Sequence, residues 1–257
     1  MNMKRFILST VVACGIMGGG MVNAAPINVG LELALLVDAS GSVSASEYSL
    51  QKSGYVNAFQ NPTIQSLIGN QPGGIAVTYI EWSGSSQQSQ LVDWTHITNA
   101  TTANSFASTL SATGRAYSGA TAPGSAIDFA LPLFSGNGFT SSKWIMDVSG
   151  DGTENAGANT ASARDNALAN GVTAINGLPI GGGAFLKSWY QNNIVGGTSA
   201  FLIQANSFSD FETAVEQKLY KEISGDTVAV PEPSSLGLLF FGLAALTGMF
   251  ALRRRIG

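Results

Sequence analysis

Apolar and polar positions alternate in blocks along this chain. Leu33-Ala34-Leu35-Leu36-Val37 is an unbroken apolar run that stops at Asp38-Ala39-Ser40-Gly41-Ser42. A short apolar run bounded by turn residues reads as a strand buried on both faces, the kind found in parallel sheets covered by helices. Gly74–Trp82 and Ser142–Ser149 have the same character, as does Val172–Ile180 up to Gly181-Gly182-Gly183. Gln90–Ile97 alternates and suits an antiparallel edge strand beside the second, across the polar turn 83–89. Thr198–Ala205 reads as a sixth strand.

Helical patterns fall between these strands. Ser44-Ala45-Ser46-Glu47 is a capping box, and Tyr48, Tyr55, Val56 and Phe59 recur behind it at helical spacing. Further helices are expected over 102–112, from Pro123 to about Gly136, over 160–169 with Gly171 closing it, and over 185–194. Phe211, Val215, Leu219 and Ile223, four apart, mark a last helix over 208–223. Six strands interleaved with helices predict an α/β fold: a doubly wound, Rossmann-like, mainly parallel six-stranded sheet with helices on both faces and one antiparallel edge strand.

The chain has 257 residues, 45% hydrophobic and only 11% charged. That is enough apolar content for one sizeable core. Of twelve basic residues, Lys4, Arg5, Arg253, Arg254 and Arg255 lie at the ends, and of sixteen acids only Glu232 does, so seven bases face fifteen acids in the rest of the chain, a net of −8. No basic stripe exists, so nucleic acid is not an expected partner. The single cysteine, Cys14, lies in the N-terminal segment, so the body holds no disulfide and no thiolate chemistry.

Met1–Ala24 has the charged start, apolar stretch and small-residue end of a secretory signal peptide. Val11-Val12-Ala13-Cys14 also resembles a lipoprotein box, and cleavage there would leave a lipidated Cys14. The expected organisation is a signal peptide over 1–24, one domain over 25–224, a linker over 225–230 and a terminal segment over 231–257. That segment runs from Pro231-Glu232-Pro233 through an apolar stretch, 236–252, to three arginines. The stretch is at the lower length limit for a membrane span. The whole segment resembles a PEP-CTERM sorting signal. The resemblance implies processing by an exosortase, transient lodging of 236–252 in the inner membrane of a Gram-negative bacterium that makes exopolysaccharide, and a final place at the cell surface or in the extracellular matrix.

In open α/β sheets, ligands sit beyond the carboxyl ends of the strands, which is where Asp38, Ser40 and Ser42 fall. All three offer hard oxygens, suited to Mg²⁺, Mn²⁺ or Ca²⁺ rather than zinc or copper. Asp38-x-Ser40-x-Ser42 after a buried strand, Gly119-Ala120-Thr121 before a helix and Asp151-Gly152 after a later strand together resemble the metal-ion-dependent adhesion site of von Willebrand factor A-type domains. Trp82-Ser83, Trp94-Thr95 and Asn176-Gly177-Leu178 extend the likeness to a bacterial subgroup of such proteins. Ser149-Gly150 before Asp151-Gly152 departs from many eukaryotic relatives. The likeness implies Ser40, Ser42 and Thr121 as direct ligands, Asp38 and Asp151 as ligands directly or through water, and Mg²⁺ (or Mn²⁺/Ca²⁺) as the ion. It also implies an open position for an acidic group on a protein, peptide or polysaccharide.

The function expected is therefore a secreted or cell-surface binding module of the biofilm matrix, not an enzyme. One alternative is a structural matrix protein whose metal only stabilises the fold. Another is a metal-assisted hydrolase, disfavoured by a lone histidine, no body cysteine, no Gly-x-Ser-x-Gly elbow and no carboxylate pair spaced for acid–base work. His96 is expected to be an ordinary edge-strand residue. Asp147, an acid inside a buried strand, needs a partner: either the metal's surroundings or, as the favoured structural role, a neighbouring loop.

Overall fold

The computed structural model describes residues 25–225. The expected signal peptide, Cys14, the linker beyond Gly225 and the sorting segment with its apolar stretch lie outside these residues. Among the described residues no helix is long and apolar enough to cross a membrane.

The chain begins with the short strand β1 (Ile27–Asn28) and the central strand β2 (Leu31–Asp38). Helices α1 (Ala45–Gln60) and α2 (Pro62–Gly69) follow, then the hairpin β3 (Ile75–Trp82) and β4 (Gln88–Ile97). Next come α3 (Ala100–Ser111), α4 (Pro123–Ala130), β5 (Phe139–Thr140) and β6 (Trp144–Gly150). The chain closes with α5 (Thr160–Ala169), β7 (Ala174–Pro179), α6 (Gly183–Asn193), β8 (Gly196–Gly197) and α7 (Phe211–Ser224).

The main sheet has six strands in the order β4-β3-β2-β6-β7-β8. β2, β3, β6 and β7 are parallel, whereas β4 runs antiparallel to β3 and β8 antiparallel to β7. All eight residues of β2 are buried, because a strand in mid-sheet is covered on both faces. Its side chains divide by period two. Leu31, Leu33, Leu35 and Val37 join the core beneath α1, α2, α3 and α7, and Ala34 and Leu36 join a second core beneath α4, α5 and α6. The expected doubly wound class is the observed one.

The capping box forms as read: the Ser44 hydroxyl accepts from Glu47 N, and the Glu47 carboxylate accepts from Ser44 N. Asn61 and Pro62 open a helix, α2, that the apolar pattern alone did not reveal; the Asn61 side chain accepts from Thr63 N and Pro62 occupies the first turn. The sixth strand differs from expectation. Over 198–205, Leu202 and Ala205 make only isolated parallel bridges to Gly177 and Ile180, and the paired segment is the dipeptide Gly196–Gly197. The ladder is broken because the Phe201 amide donates to the Asn176 side chain and Ser199 adopts a left-handed turn, φ 57°. His96 is a half-buried residue of edge strand β4, with Nε2 2.7 Å from Gly73 O.

Candidate metal centre

β2 lies between β3, to which the chain crosses next, and β6, which it reaches later from the other side. The reversal of winding opens a crevice between the carboxyl ends of β2 and β6. Asp38 is the last residue of β2, and Asp151 directly follows β6. Backbone bonds tie in the third loop: Gly41 N donates to Gly119 O at 2.8 Å, and Gly119 N to the Ser83 hydroxyl at 2.7 Å.

All five expected residues meet here. Ser40 N donates to Asp38 Oδ1 (2.7 Å), the Ser40 and Ser42 hydroxyls lie 3.1 Å apart, and Ser42 Oγ donates to Asp151 Oδ1 (2.6 Å). Thr121 is held by a reciprocal pair with Asn155: Thr121 N donates to Asn155 Oδ1 (2.8 Å) and Asn155 N to Thr121 O (2.9 Å). Its side chain borders the Asp151-Gly152 loop, for a Cβ built on Gly152 would stand 3.5 Å from Thr121 Cγ2 and 3.7 Å from Oγ1. Asp38, Ser40 and Thr121 form a buried floor, while Ser42 is exposed and Asp151 half-buried. The cluster is open to solvent on one side.

Its electrostatics are unbalanced. Asp38 Oδ2 is buried without a hydrogen-bond partner, as is the Tyr190 hydroxyl of α6. Both border Gly150, where an added Cβ would sit 2.6 Å from Asp38 Oδ2 and 2.8 Å from Tyr190 Oη. Burial pushes the Asp38 carboxyl up to about 7, and the charge of Asp151 adds to the rise. Asp151 is also raised, chiefly by burial, with Glu47 contributing. An orphaned carboxylate oxygen, a second carboxylate and three hydroxyls form a hard-oxygen donor set that a divalent cation fits. Among the described residues no three Asp, Glu, His or Cys side chains gather into a ligand cluster. Hydroxyls must therefore supply much of any cation's shell here.

Several supporting residues had no signature in the sequence. Arg115 Nη2 donates to Ala39 O (3.0 Å) and Ser40 O (2.7 Å), and its Nε to Tyr117 O (2.8 Å), which joins the Asp38 loop to the loop leading to Thr121. The guanidinium rests on the Tyr48 ring, whose hydroxyl donates to buried Glu81 at 2.5 Å; Glu81 also accepts from Ala116 N. Gln51 Nε2 donates to Asp38 O (2.8 Å). One signal was available: Arg115 is among only seven basic residues in the body and lies in the loop that carries Thr121.

Asp147 is not part of the site. Its carboxylate pairs with Lys218 of α7 at 2.6 Å, and Lys218 pairs in turn with Glu222 at 2.7 Å, all fully or nearly buried. Asn176 Nδ2 donates to Glu222 (2.9 Å). The partner that Asp147 requires is thus a lysine on a distant helix.

Proximal thread matrix protein 1 from the mussel byssus superimposes with a TM-score of 0.59 at 18% identity, over 78% of this chain and 50% of that one. A second crystal structure of that protein has a zinc-occupied MIDAS motif. The pilus adhesin SpaC of Lactobacillus rhamnosus GG gives 0.56 at 16% identity, over 79% of this chain and 31% of that one. The PilB minor pilin of Streptococcus sanguinis gives 0.53 at 13%, over 80% and 64%. This chain spans about half the length of the byssus protein it matches. These likenesses establish a von Willebrand A-like fold. No curated protein matches the sequence. Residues 229–255 match the PEP-CTERM protein-sorting motif, which marks the chain for export, exosortase processing and delivery to the cell surface or matrix. Residues 28–227 match the family described as "Protein of unknown function (DUF1194)", and the chain belongs to that family.

Proposed function

We propose that residues 25–224 form a non-enzymatic binding module outside the cytoplasmic membrane, with a divalent cation at Asp38, Ser40, Ser42, Thr121 and Asp151 that takes an acidic group from a matrix partner. The observation that carries this reading is Asp38 Oδ2, a buried carboxylate oxygen with no partner in a cluster built from three sequence-distant loops. A cation would neutralise the two raised carboxylates and supply a Lewis-acidic point for a partner's carboxylate. The protein's own residues would hold the ion, and Arg115, Gln51 and Asn155 would keep the three loops in register. Exposure of Ser42 favours a site that reaches partners over one that only stabilises the fold. The zinc seen in a byssus-protein site supports a divalent ion on this fold; the donor set here favours Mg²⁺ or Mn²⁺.

The test is titration calorimetry of the full chain with Mg²⁺, Mn²⁺, Ca²⁺ and Zn²⁺, beside Asp38→Asn and Thr121→Ala. One ion per wild-type chain is expected, with binding lost in both variants while circular dichroism stays native. Adding a glutamate-rich peptide or an acidic polysaccharide should then tighten ion binding. Ion binding that raises the melting temperature but ignores every acidic partner would favour a structural metal. No binding with or without partner would overturn the proposal.

A further inference from the structure

A cavity of about 260 Å³ opens at the opposite end of the sheet, beside the first residues of β6 and β7 and the last turn of α7. That is just below the ~300–1,000 Å³ of pockets for drug-sized ligands, so it suits a small molecule. Lys143 and Lys221 line it together with Ile145, Ala174, Phe201 and Ser199.

Three features set this cavity apart from an ordinary surface hollow. The first is charge. The body of the chain carries a large acid excess, yet two of its seven basic residues converge here. Neither forms an ion pair among the described residues. Lys221 Nζ instead lies 4.2 Å from the centroid of the Phe201 ring. Lys218, one turn before it, is by contrast neutralised by Asp147 and Glu222.

The second feature is backbone strain. Ser199, on the lip, is the only non-glycine residue with positive φ among the described residues. Such conformations persist where the surroundings impose them and cluster at ligand clamps.

The third feature is the wall. Asn176 and Glu222 also line the cavity: Asn176 is occupied with Glu222 Oε1 (2.9 Å) and with the Phe201 amide (3.0 Å), and Glu222 Oε1 also accepts from Lys218 (2.7 Å), while Glu222 Oε2 is buried without a hydrogen-bond partner. The cations on the wall are the ammonium groups of Lys143 and Lys221, the Thr198 and Ser199 side chains stand on the same wall, and Ile145, Ala174 and Phe201 offer an apolar surface beside them.

We propose that this cavity binds a small organic anion, its carboxylate between Lys143 and Lys221 and its apolar body against Ile145, Ala174 and Phe201. The site is separate from the cation cluster and does not depend on the proposed function.

Lysine acylation of the full chain, read by mass spectrometry, tests it with benzoate, glucuronate and inorganic phosphate as probes. Benzoate at about tenfold its dissociation constant should slow acylation of both Lys143 and Lys221 about tenfold, by mass action. Exposed Lys187 should react unchanged. Glucuronate and phosphate, which lack the apolar body, should protect more weakly. In Lys221→Gln, benzoate should no longer protect Lys143, and the reverse should hold in Lys143→Gln. These surface substitutions leave the core intact, so the protection pattern reports on the cavity and not on folding. Three outcomes would overturn the proposal: no protection by benzoate, protection by phosphate as strong as by benzoate, or equal protection of Lys187.

Discussion

Asp38 and Asp147 are both carboxylates buried in neighbouring strands of the sheet, yet their surroundings differ in kind. Asp147 has Lys218 at 2.6 Å, whereas Asp38 keeps one oxygen without a partner. A buried charge requires a counter-charge, so the first is a fold element and the second is the carboxylate on which the proposed cation site rests. Removing the lysine should be severe. Lys218→Met would strand two buried acids, and we expect a loss of about 3–5 kcal/mol in urea unfolding. Gly150→Ala should crowd Asp38 Oδ2 and Tyr190, with an overpacking cost of about 1–3 kcal/mol and weaker ion binding by calorimetry.

Glu222 supplies a pH prediction. Burial, with the nearby charge of Asp147 outweighed in part by Lys218 and Asn176, raises its pKa to about 7. An acid whose folded pKa is raised holds its proton more tightly when folded. Its stabilising contribution is complete below about 4.5, the unfolded value, and is lost as pH rises through about 7. Glu222→Gln keeps the hydrogen-bond acceptor and removes the titration. The variant should therefore show a flatter dependence of melting temperature on pH between about 4.5 and 7 than wild type.

At the scale of elements, the site depends on where helices begin and which loops are stitched together. The capping box starts α1 three residues past Ser42, which holds the Asp38 loop short. Ser44→Ala should cost about 1 kcal/mol in chemical denaturation. Arg115 has a different role, since it bonds carbonyls of the Asp38 loop and of its own loop. Arg115→Ala should lower the melting temperature and weaken ion binding about tenfold, or about 1.4 kcal/mol. Arg115→Lys should recover part of it, since one ammonium cannot reproduce the guanidinium fork.

At the scale of the whole molecule, two cores lie on opposite faces of one sheet, and the candidate cation site and the lysine-lined cavity lie at its opposite ends. The sorting motif begins a few residues beyond the end of α7. Replacing Pro231-Glu232-Pro233 by alanines should block processing, so the chain accumulates uncleaved in the membrane fraction instead of reaching the surface. Immunoblots of fractionated cells would show it.

The local code was legible without coordinates. Unbroken apolar runs announced the buried parallel strands, because a strand covered on both faces has no polar side. The alternation of 90–97 announced the edge, and Ser44–Glu47 the helix start. Topology alone placed Asp38, Ser40 and Ser42 at a strand end; Thr121 and Asp151 entered through the resemblance to the adhesion-site motif, and the structure brings these loops side by side. Other features were decided by tertiary structure, since they rest on contacts between residues far apart in the chain. Lys218 lies 71 positions from Asp147 and 42 from Asn176 but joins both through Glu222 and the ion pair. Arg115 reaches carbonyls about 75 residues earlier. The 198–205 segment reads as a strand, and only the competing hydrogen bond from the Phe201 amide to Asn176 breaks it. Periodicity reports which face of an element is buried; the partner that satisfies a buried charge is settled only when the layers pack.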